Sequence, residues 1–271
     1  MKPAAFAYVR AGSAAEAAAL LAAAAGRARL LAGGQSLAPI MNLRLARPER
    51  VIDIKRAGLG GAAEGPTHVR LGACVTHAEI EDGRVPDPSR GLLARIARGI
   101  AYRAVRNRGT LGGSLAHADP AADWVSAMLA LDAAMLVQGP GGERRVPAGD
   151  FFLGPFATAL GEAEVLAAVD IPRLSESARW GHVKLQRKTG AFADALGIVV
   201  HDPARGVTRV LAGAVEAAPV LLPGAAAELA RGEDAAAGLA AEIAALCPHL
   251  DDDGVRLRAL ALRRALAALG A

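Results

Sequence analysis

Two short segments set adjacent glycines beside hydroxyl residues. One is Ala32-Gly33-Gly34-Gln35-Ser36-Leu37, straight after the apolar tetrad Ala28–Leu31; the other is Arg108-Gly109-Thr110-Leu111-Gly112-Gly113-Ser114. Glycine permits a sharp turn and lets the backbone come close to a ligand. Successive N–H groups in such a turn form an anion-binding nest. The second segment repeats that logic, with the Thr110 and Ser114 hydroxyls flanking its glycine pair. Neither segment is GxGxxG, and neither is a GxxxxGK[ST] loop, because no lysine follows. That speaks against a dinucleotide fold of the doubly wound type and against an ATPase. Two such loops suit a diphosphate held mainly by backbone; the plainer alternative is two ordinary turns. Asp123 lies one helical turn beyond Asp119, where a carboxylate can accept a hydrogen bond from a ribose hydroxyl or a hydroxylated side arm.

The pattern around these loops predicts an α+β chain. Ser13, with Glu16 three residues on, caps a helix over Ala14–Gly26. Ala28–Leu31 and Val51–Ile54 read as strands, with a helical turn over Met41–Leu45, giving a βαβ-like unit of 1–57. In 58–174, strands are expected at Val69–Ala73, Ala134–Gln138, Arg144–Pro147 and Glu164–Ile171. Helices are expected at His77–Glu81, over Leu92–Val105, and from Asp119 as N-cap with Pro120 as first residue to Leu131. In 175–271, His182–Arg187, Ala195–Val200 and Val207–Ala214 predict a three-stranded antiparallel sheet. Helices follow over Ala225–Arg231, Ala235–Leu246 and Val255–Leu269.

Charge and cysteine usage narrow the function classes. The net charge of +4 is spread over 31 basic and 27 acidic residues without a basic run, so no nucleic-acid partner is expected. No stretch reads as a membrane span or a signal peptide, and the expected location is cytoplasmic. The two cysteines, Cys74 and Cys247, are too few to hold an iron–sulfur cluster without another chain. No metal site is expected, since His68, His77, His182, His201 and His249 lack metal-ligand spacing and read as structural. Asp251-Asp252-Asp253 reads as a solvated acidic turn. Arg103, Arg106 and Arg108 read as a solvated helix end, with pairing to a phosphate or a partner carboxylate as the second reading. His117 is either a helix-entry residue or a group approaching the ligand. No GxSxG or Cys–His arrangement argues for a hydrolase.

LLAGGQSLAPIMNLRLARPERVIDI and RNRGTLGGSLAHADPAADW resemble two signatures of the FAD-binding medium subunits of molybdenum hydroxylases, of the carbon monoxide dehydrogenase and xanthine dehydrogenase type. Both occur in order, and the likeness covers nearly the whole chain. It implies a two-subdomain FAD-binding fold (vanillyl-alcohol-oxidase/PCMH-like), 1–57 and 58–174, followed by a small α/β domain, 175–271. By this resemblance FAD is held by Ala32, Gly33, Gly34, Gln35, Ser36 and Leu37, and by Thr110, Leu111, Gly112, Gly113 and Ser114. The remaining contacts are Ile100, Asp123, Leu166 and Lys184. Lys184 alone would read as a surface residue; the resemblance places it near the flavin, where its charge would favour the reduced, anionic form. Phe192 stands where the carbon monoxide dehydrogenases carry a tyrosine near the ring, and Ala191 replaces a common aspartate.

The function so implied is electron relay, with no catalytic acid or base on this chain. A partner with the molybdenum cofactor hydroxylates a substrate, a small partner with two [2Fe–2S] clusters carries the electrons, and FAD passes them to NAD or another acceptor. A dimer of heterotrimers is expected. The alternatives are a stand-alone FAD oxidoreductase and a non-catalytic nucleotide-binding protein.

Overall fold

The computed structural model describes residues 2–270. The chain begins with strand β1 (Ala7–Arg10), helix α1 (Ala14–Ala24), strand β2 (Ala28–Leu31), helix α2 (Leu37–Asn42) and strand β3 (Arg50–Asp53). The three strands form a parallel sheet in the order β1-β3-β2. The Ser13 side chain accepts the Glu16 N–H at 3.1 Å and so caps α1. Ala17, Ala18, Leu21 and Ala24 bury one face of that helix. Ala25 and Gly26 are both left-handed and end it. Strand β1 has no sequence signature, because only Val9 of its four residues is even half-buried.

The second unit runs through β4 (Ala62–Glu64), β5 (His68–Gly72), α3 (His77–Glu81), α4 (Leu92–Arg98), α5 (Arg103–Arg106), α6 (Leu111–His117) and α7 (Asp123–Ala130). It continues through β6 (Ala134–Gly139), β7 (Gly142–Pro147), α8 (Ala148–Phe151), β8 (Phe152–Gly154), β9 (Ala157–Thr158) and β10 (Val165–Pro172). Five of the strands pair antiparallel in the order β4-β5-β10-β6-β7.

Two expected helices change here. The single helix over Leu92–Val105 is split into α4 and α5. At the break Ala101 is left-handed (φ 43°), and the Arg106 guanidinium takes the carbonyls of Ile100 and Ala101. The helix expected from Pro120 starts only at Asp123. Asp119 instead accepts the Ala121 N–H on its side chain at 2.9 Å and makes a turn of the intervening residues.

The last unit contains β11 (Arg179–Leu185), β12 (Ala195–Asp202), β13 (Val207–Gly213) and β14 (Val220–Leu221), followed by α9 (Pro223–Ala230), α10 (Leu239–Leu246) and α11 (Asp252–Ala267). The sheet has four strands, not three, in the order β11-β12-β13-β14; β14 is two residues long and too short for any periodicity to reveal. The Asp251–Asp253 run is exposed, as expected, but it opens a helix and is not a free turn. The Asp251 side chain accepts the Gly254 N–H at 2.7 Å and caps α11, and Asp252 and Asp253 lie in the first turn, where negative charge suits the helix dipole.

The two faces of this sheet go to different cores. Leu196, Ile198 and Leu211 face α4 and α7, in one apolar cluster with Ile96, Trp124 and Met128. Val199, Val210 and Ala212 alternate with them and pack with Leu239, Ile243 and Leu262 of the C-terminal helices. Period-two alternation thus makes one sheet the middle layer of a sandwich. His182 and Lys184 pair with Ile198 and Leu196, so they point from edge strand β11 towards the second unit. Among the described residues no strand pairs across Asp53–Ala62 or Pro172–Arg179, whereas the larger core runs through both the second and the last unit. No helix among the described residues is long and apolar enough to cross a membrane.

Candidate functional site

The three units meet around a cavity of about 640 Å³. That lies inside the usual range for small-molecule pockets. Ala32, Gly33, Gly34, Gln35, Ser36 and Leu37 form one wall. The amides of Gly33, Gly34, Gln35, Ser36 and Leu37 donate to no protein atom among the described residues. Gly34 is left-handed (φ 73°) and Ser36, two residues on, is right-handed, so the chain turns sharply here. The Ser36 hydroxyl makes no capping bond to α2. An unspent row of amides is a site for anionic oxygens.

The second glycine segment does something different from the first. Its Gly-Gly part is the start of α6, not a loop, and the amides of Leu111 to Ser114 are spent inside the protein. Leu111 N–H donates to Val75 O at 2.9 Å, Gly112 N–H to Ala73 O at 2.8 Å and Ser114 N–H to Thr110 O at 3.1 Å. Gly113 N–H donates to the Thr110 hydroxyl at 3.1 Å. The glycines serve close packing. A Cβ on Gly33 would lie 2.7 Å from the Arg108 carbonyl carbon and 2.9 Å from Gly109 Cα, so the two segments touch backbone to backbone. Thr110, Gly112, Gly113 and Ser114 line the cavity as a smooth wall. Leu111 does not line it; the side chain is fully buried in the main core.

The opposite wall carries the charge. Lys184 reaches from β11 to Asp123 at the start of α7, Nζ to Oδ2 2.8 Å, and both side chains are buried. A second ammonium proton goes to Gly99 O at 3.3 Å. An ammonium has three donors, so one is left for the cavity, which Lys184 lines. Asp123 Oδ1 is buried and accepts no hydrogen bond among the described residues. Burial pushes the Asp123 carboxyl up, and Lys184 opposes that. An orphaned acceptor of this kind fits a ligand hydroxyl. Ile100 and Leu166 add apolar wall.

Some cavity residues carry no usable sequence signal. His77, read as structural, lies on the wall. Its Nδ1 accepts the Trp124 indole N–H at 3.0 Å, which places the proton of the neutral ring on Nε2. The rings of His117 and Phe156, both on the cavity wall, lie 5.2 Å apart between centroids and are tilted by 53°. Phe156 is 60% exposed and Phe192 63% exposed, and both line the cavity. Phe156 is left-handed (φ 55°), a conformation rare for a bulky residue. Only proximity in the fold marks these side chains.

Burial lowers His77 to about 4, with Arg106 adding to the effect, and burial lowers His182 to about 4 as well. Both rings are neutral when folded, while the unfolded chain takes up their protons below about 6.5. Stability is therefore complete above that pH and falls as pH drops from about 6.5 towards 4. His77 alone should cost about 2 kcal/mol at pH 5, with His182 acting in the same direction. Urea denaturation at pH 7 and pH 5 measures this; an H77Q/H182Q variant should lose most of the difference.

A second concavity, of about 660 Å³, lies beside the start of α11. Its polar groups are already used: Asp251 caps the helix, Asp253 pairs with Arg256, and Arg258 donates to the carbonyls of Ala214 and Gly254. Among the described residues, no buried side-chain polar atom lining it lacks a partner.

The features of the first cavity, namely free amides for a diphosphate, an orphan acceptor for a hydroxyl and apolar walls with one ammonium, fit FAD. Residues 4–174 match the family described as the FAD binding domain in molybdopterin dehydrogenase. The chain is 38% identical over 224 residues to the carbon monoxide dehydrogenase medium chain of Hydrogenophaga pseudoflava, covering 82% of this chain and 78% of that one. It is 41% identical over 165 residues to the nicotine 6-hydroxylase medium subunit of Paenarthrobacter nicotinovorans, covering 60% and 58%. A chain in the solved structure of the Hydrogenophaga pseudoflava carbon monoxide dehydrogenase lacking the Mo-pyranopterin moiety superposes with a TM-score of 0.93 at 35% identity, over 100% of this chain and 99% of that one. The chain therefore belongs to the FAD-binding medium subunits of the molybdenum hydroxylases, and its cofactor is FAD.

Proposed function

We propose that this oxidoreductase subunit passes electrons from [2Fe–2S] clusters on a small partner to an external acceptor. A large partner would hold the molybdenum cofactor, and two such heterotrimers would assemble in the cytoplasm. The observation that carries this reading is the superposition along essentially the whole chain on a carbon monoxide dehydrogenase subunit. A chemical argument supports it. The chain has only two cysteines, both buried and free, and burial pushes the Cys74 thiol up to about 11. About four thiolates are needed for a cluster, so the electron donor belongs to another chain. FAD supplies a two-electron store that can be filled one electron at a time.

In this reading residues 1–57 supply the amide nest and 58–174 the facing wall, while 175–271 carries Lys184 and Phe192 to the cavity. Fourteen of the fifteen residues expected to touch FAD, all but Leu111, line that cavity. We assign no substrate. The relatives' names span carbon monoxide and nicotine, and the bond-making site would lie on the large partner.

Co-expression with the neighbouring genes tests the proposal. The expected product is a yellow-brown complex containing a small Cys-rich protein and a large molybdenum protein. Its flavin bands should bleach with substrate only when the small subunit is present. Bleaching of the isolated chain by a substrate would instead favour a stand-alone FAD oxidoreductase.

A further inference from the structure

Arg106 opens the second signature, where it reads as part of a solvated helix end, yet its side chain is nearly buried and holds a piece of the wall. Its guanidinium is nearly buried and pairs with Glu81, Nε to Oε2 at 2.7 Å and Nη2 to Oε1 at 3.1 Å. Its remaining nitrogen, Nη1, donates to the carbonyls of Ile100 at 2.9 Å and Ala101 at 3.0 Å. The planar fork of arginine is suited to such a task, since it spans a carboxylate and two carbonyls at once.

Those carbonyls belong to the turn that interrupts the helix. Local sequence favours one helix from Leu92 to Val105, in which the carbonyls of Gly99 and Ile100 would accept the amides four residues on. The fold keeps both out of that ladder. Gly99 O accepts Lys184 Nζ, and Ile100 turns to the cavity. Ala101 takes a left-handed conformation that alanine adopts only when its surroundings impose it. The loop that carries Phe192 sits on the same turn: a Cβ on Gly190 would lie 2.6 Å from Ala101 O.

We propose that Arg106 is a positioning residue for the flavin cavity. By clamping the Ile100 and Ala101 carbonyls against Glu81, it holds the Gly99–Tyr102 turn open and so places Lys184, Ile100 and Phe192. The proposal rests on FAD occupying this cavity. It concerns binding and tuning of the cofactor, and needs no partner subunit to be tested.

The test uses the full-length chain freed of FAD, with the variants R106Q, R106K, K184M and R106Q/K184M. FAD affinity and the reduction potential of the bound flavin are measured where circular dichroism shows each variant folded. K184M should weaken FAD by at least about tenfold and shift its potential. R106Q should do the same in the same direction. The double variant should be no worse than the poorer single one within about twofold, because both act on one arrangement. R106K should not restore affinity, since a point-like ammonium cannot span the three acceptors; it also serves should R106Q fail to fold. Parent-like affinity and potential in R106Q and R106K, with K184M impaired, would overturn the clamp alone. Additive losses in the double variant would overturn it too. An unimpaired K184M would remove both the clamp and the assignment of this cavity to FAD.

Discussion

Gly33→Ala should reduce FAD affinity by a factor of about 100 or more. A Cβ there would meet the Arg108 carbonyl carbon at 2.7 Å and Gly109 Cα at 2.9 Å. Both obstacles are backbone, so no side-chain rotation relieves them. The nest loop has to move off the second segment, which turns its amides away from the ligand. Hydrogen bonds to charged groups contribute about 1.5–3 kcal/mol each. Losing two of the five free amides therefore accounts for about 3 kcal/mol or more of binding. The same displacement should cost the FAD-free chain about 1–3 kcal/mol of stability. Titration with FAD, followed by flavin fluorescence, reads the first effect, and urea denaturation the second. Gly60→Ala is the control, because a Cβ at Gly60 meets nothing within 4 Å. An affinity within tenfold of the parent for Gly33→Ala would show that the nest does not hold the cofactor.

Lys184→Met should destabilise the FAD-free chain by about 3–5 kcal/mol, the usual result of stranding one member of a buried ion pair. Asp123, 4% exposed in its side chain, would have no counter-charge. Burial already pushes its carboxyl up, and without Lys184 only its own backbone N–H opposes that. It would then stay protonated in the folded chain while ionising in the unfolded one. The folded state thus binds more protons, and the variant should lose about 1.4 kcal/mol of stability per pH unit above the unfolded value near 4, until Asp123 itself ionises. Asp123→Leu with Lys184→Met should recover most of the stability and abolish that slope, because an apolar pair of similar volume removes the stranded charge. FAD affinity should not recover, since the orphan acceptor Oδ1 and the free ammonium donor are both gone. A stability of Lys184→Met that is flat between pH 6 and 8 would contradict the burial argument.

Much of the local structure was legible because its causes are local. Ser13 caps α1 from three residues away, and the apolar alternation of β12 and β13 is a property of each strand alone. Where a distant group overrides propensity, the reading of the chain failed. Arg106 breaks the Leu92–Val105 helix by taking two carbonyls, and an Asp119 turn delays α7 to Asp123. The acidic run at Asp251 was misread because a solvated turn and a helix cap have the same composition; the Asp251 to Gly254 hydrogen bond distinguishes them.

The site divides the same way. The glycine pairs by themselves pointed to a diphosphate or to two ordinary turns; the resemblance of the two signatures to the FAD-binding medium subunits supplied the ligand and most of the cavity wall. The sequence also excluded an iron–sulfur cluster held by this chain alone, since two cysteines cannot hold one. Only the tertiary structure decided how the two glycine segments differ. The first offers free amides to the cavity, whereas the second spends its amides on Ala73, Val75 and Thr110 and uses glycine for contact. It alone decided that Lys184 is held by Asp123 and Gly99, that His77 faces the cofactor wall, and that Phe156 and Phe192 stand at its opening. The partners of these groups lie from 47 to 85 residues away where the distance is a hydrogen bond. Such pairings arise from long-range packing of three units around one cavity, and no pattern of neighbouring residues encodes them.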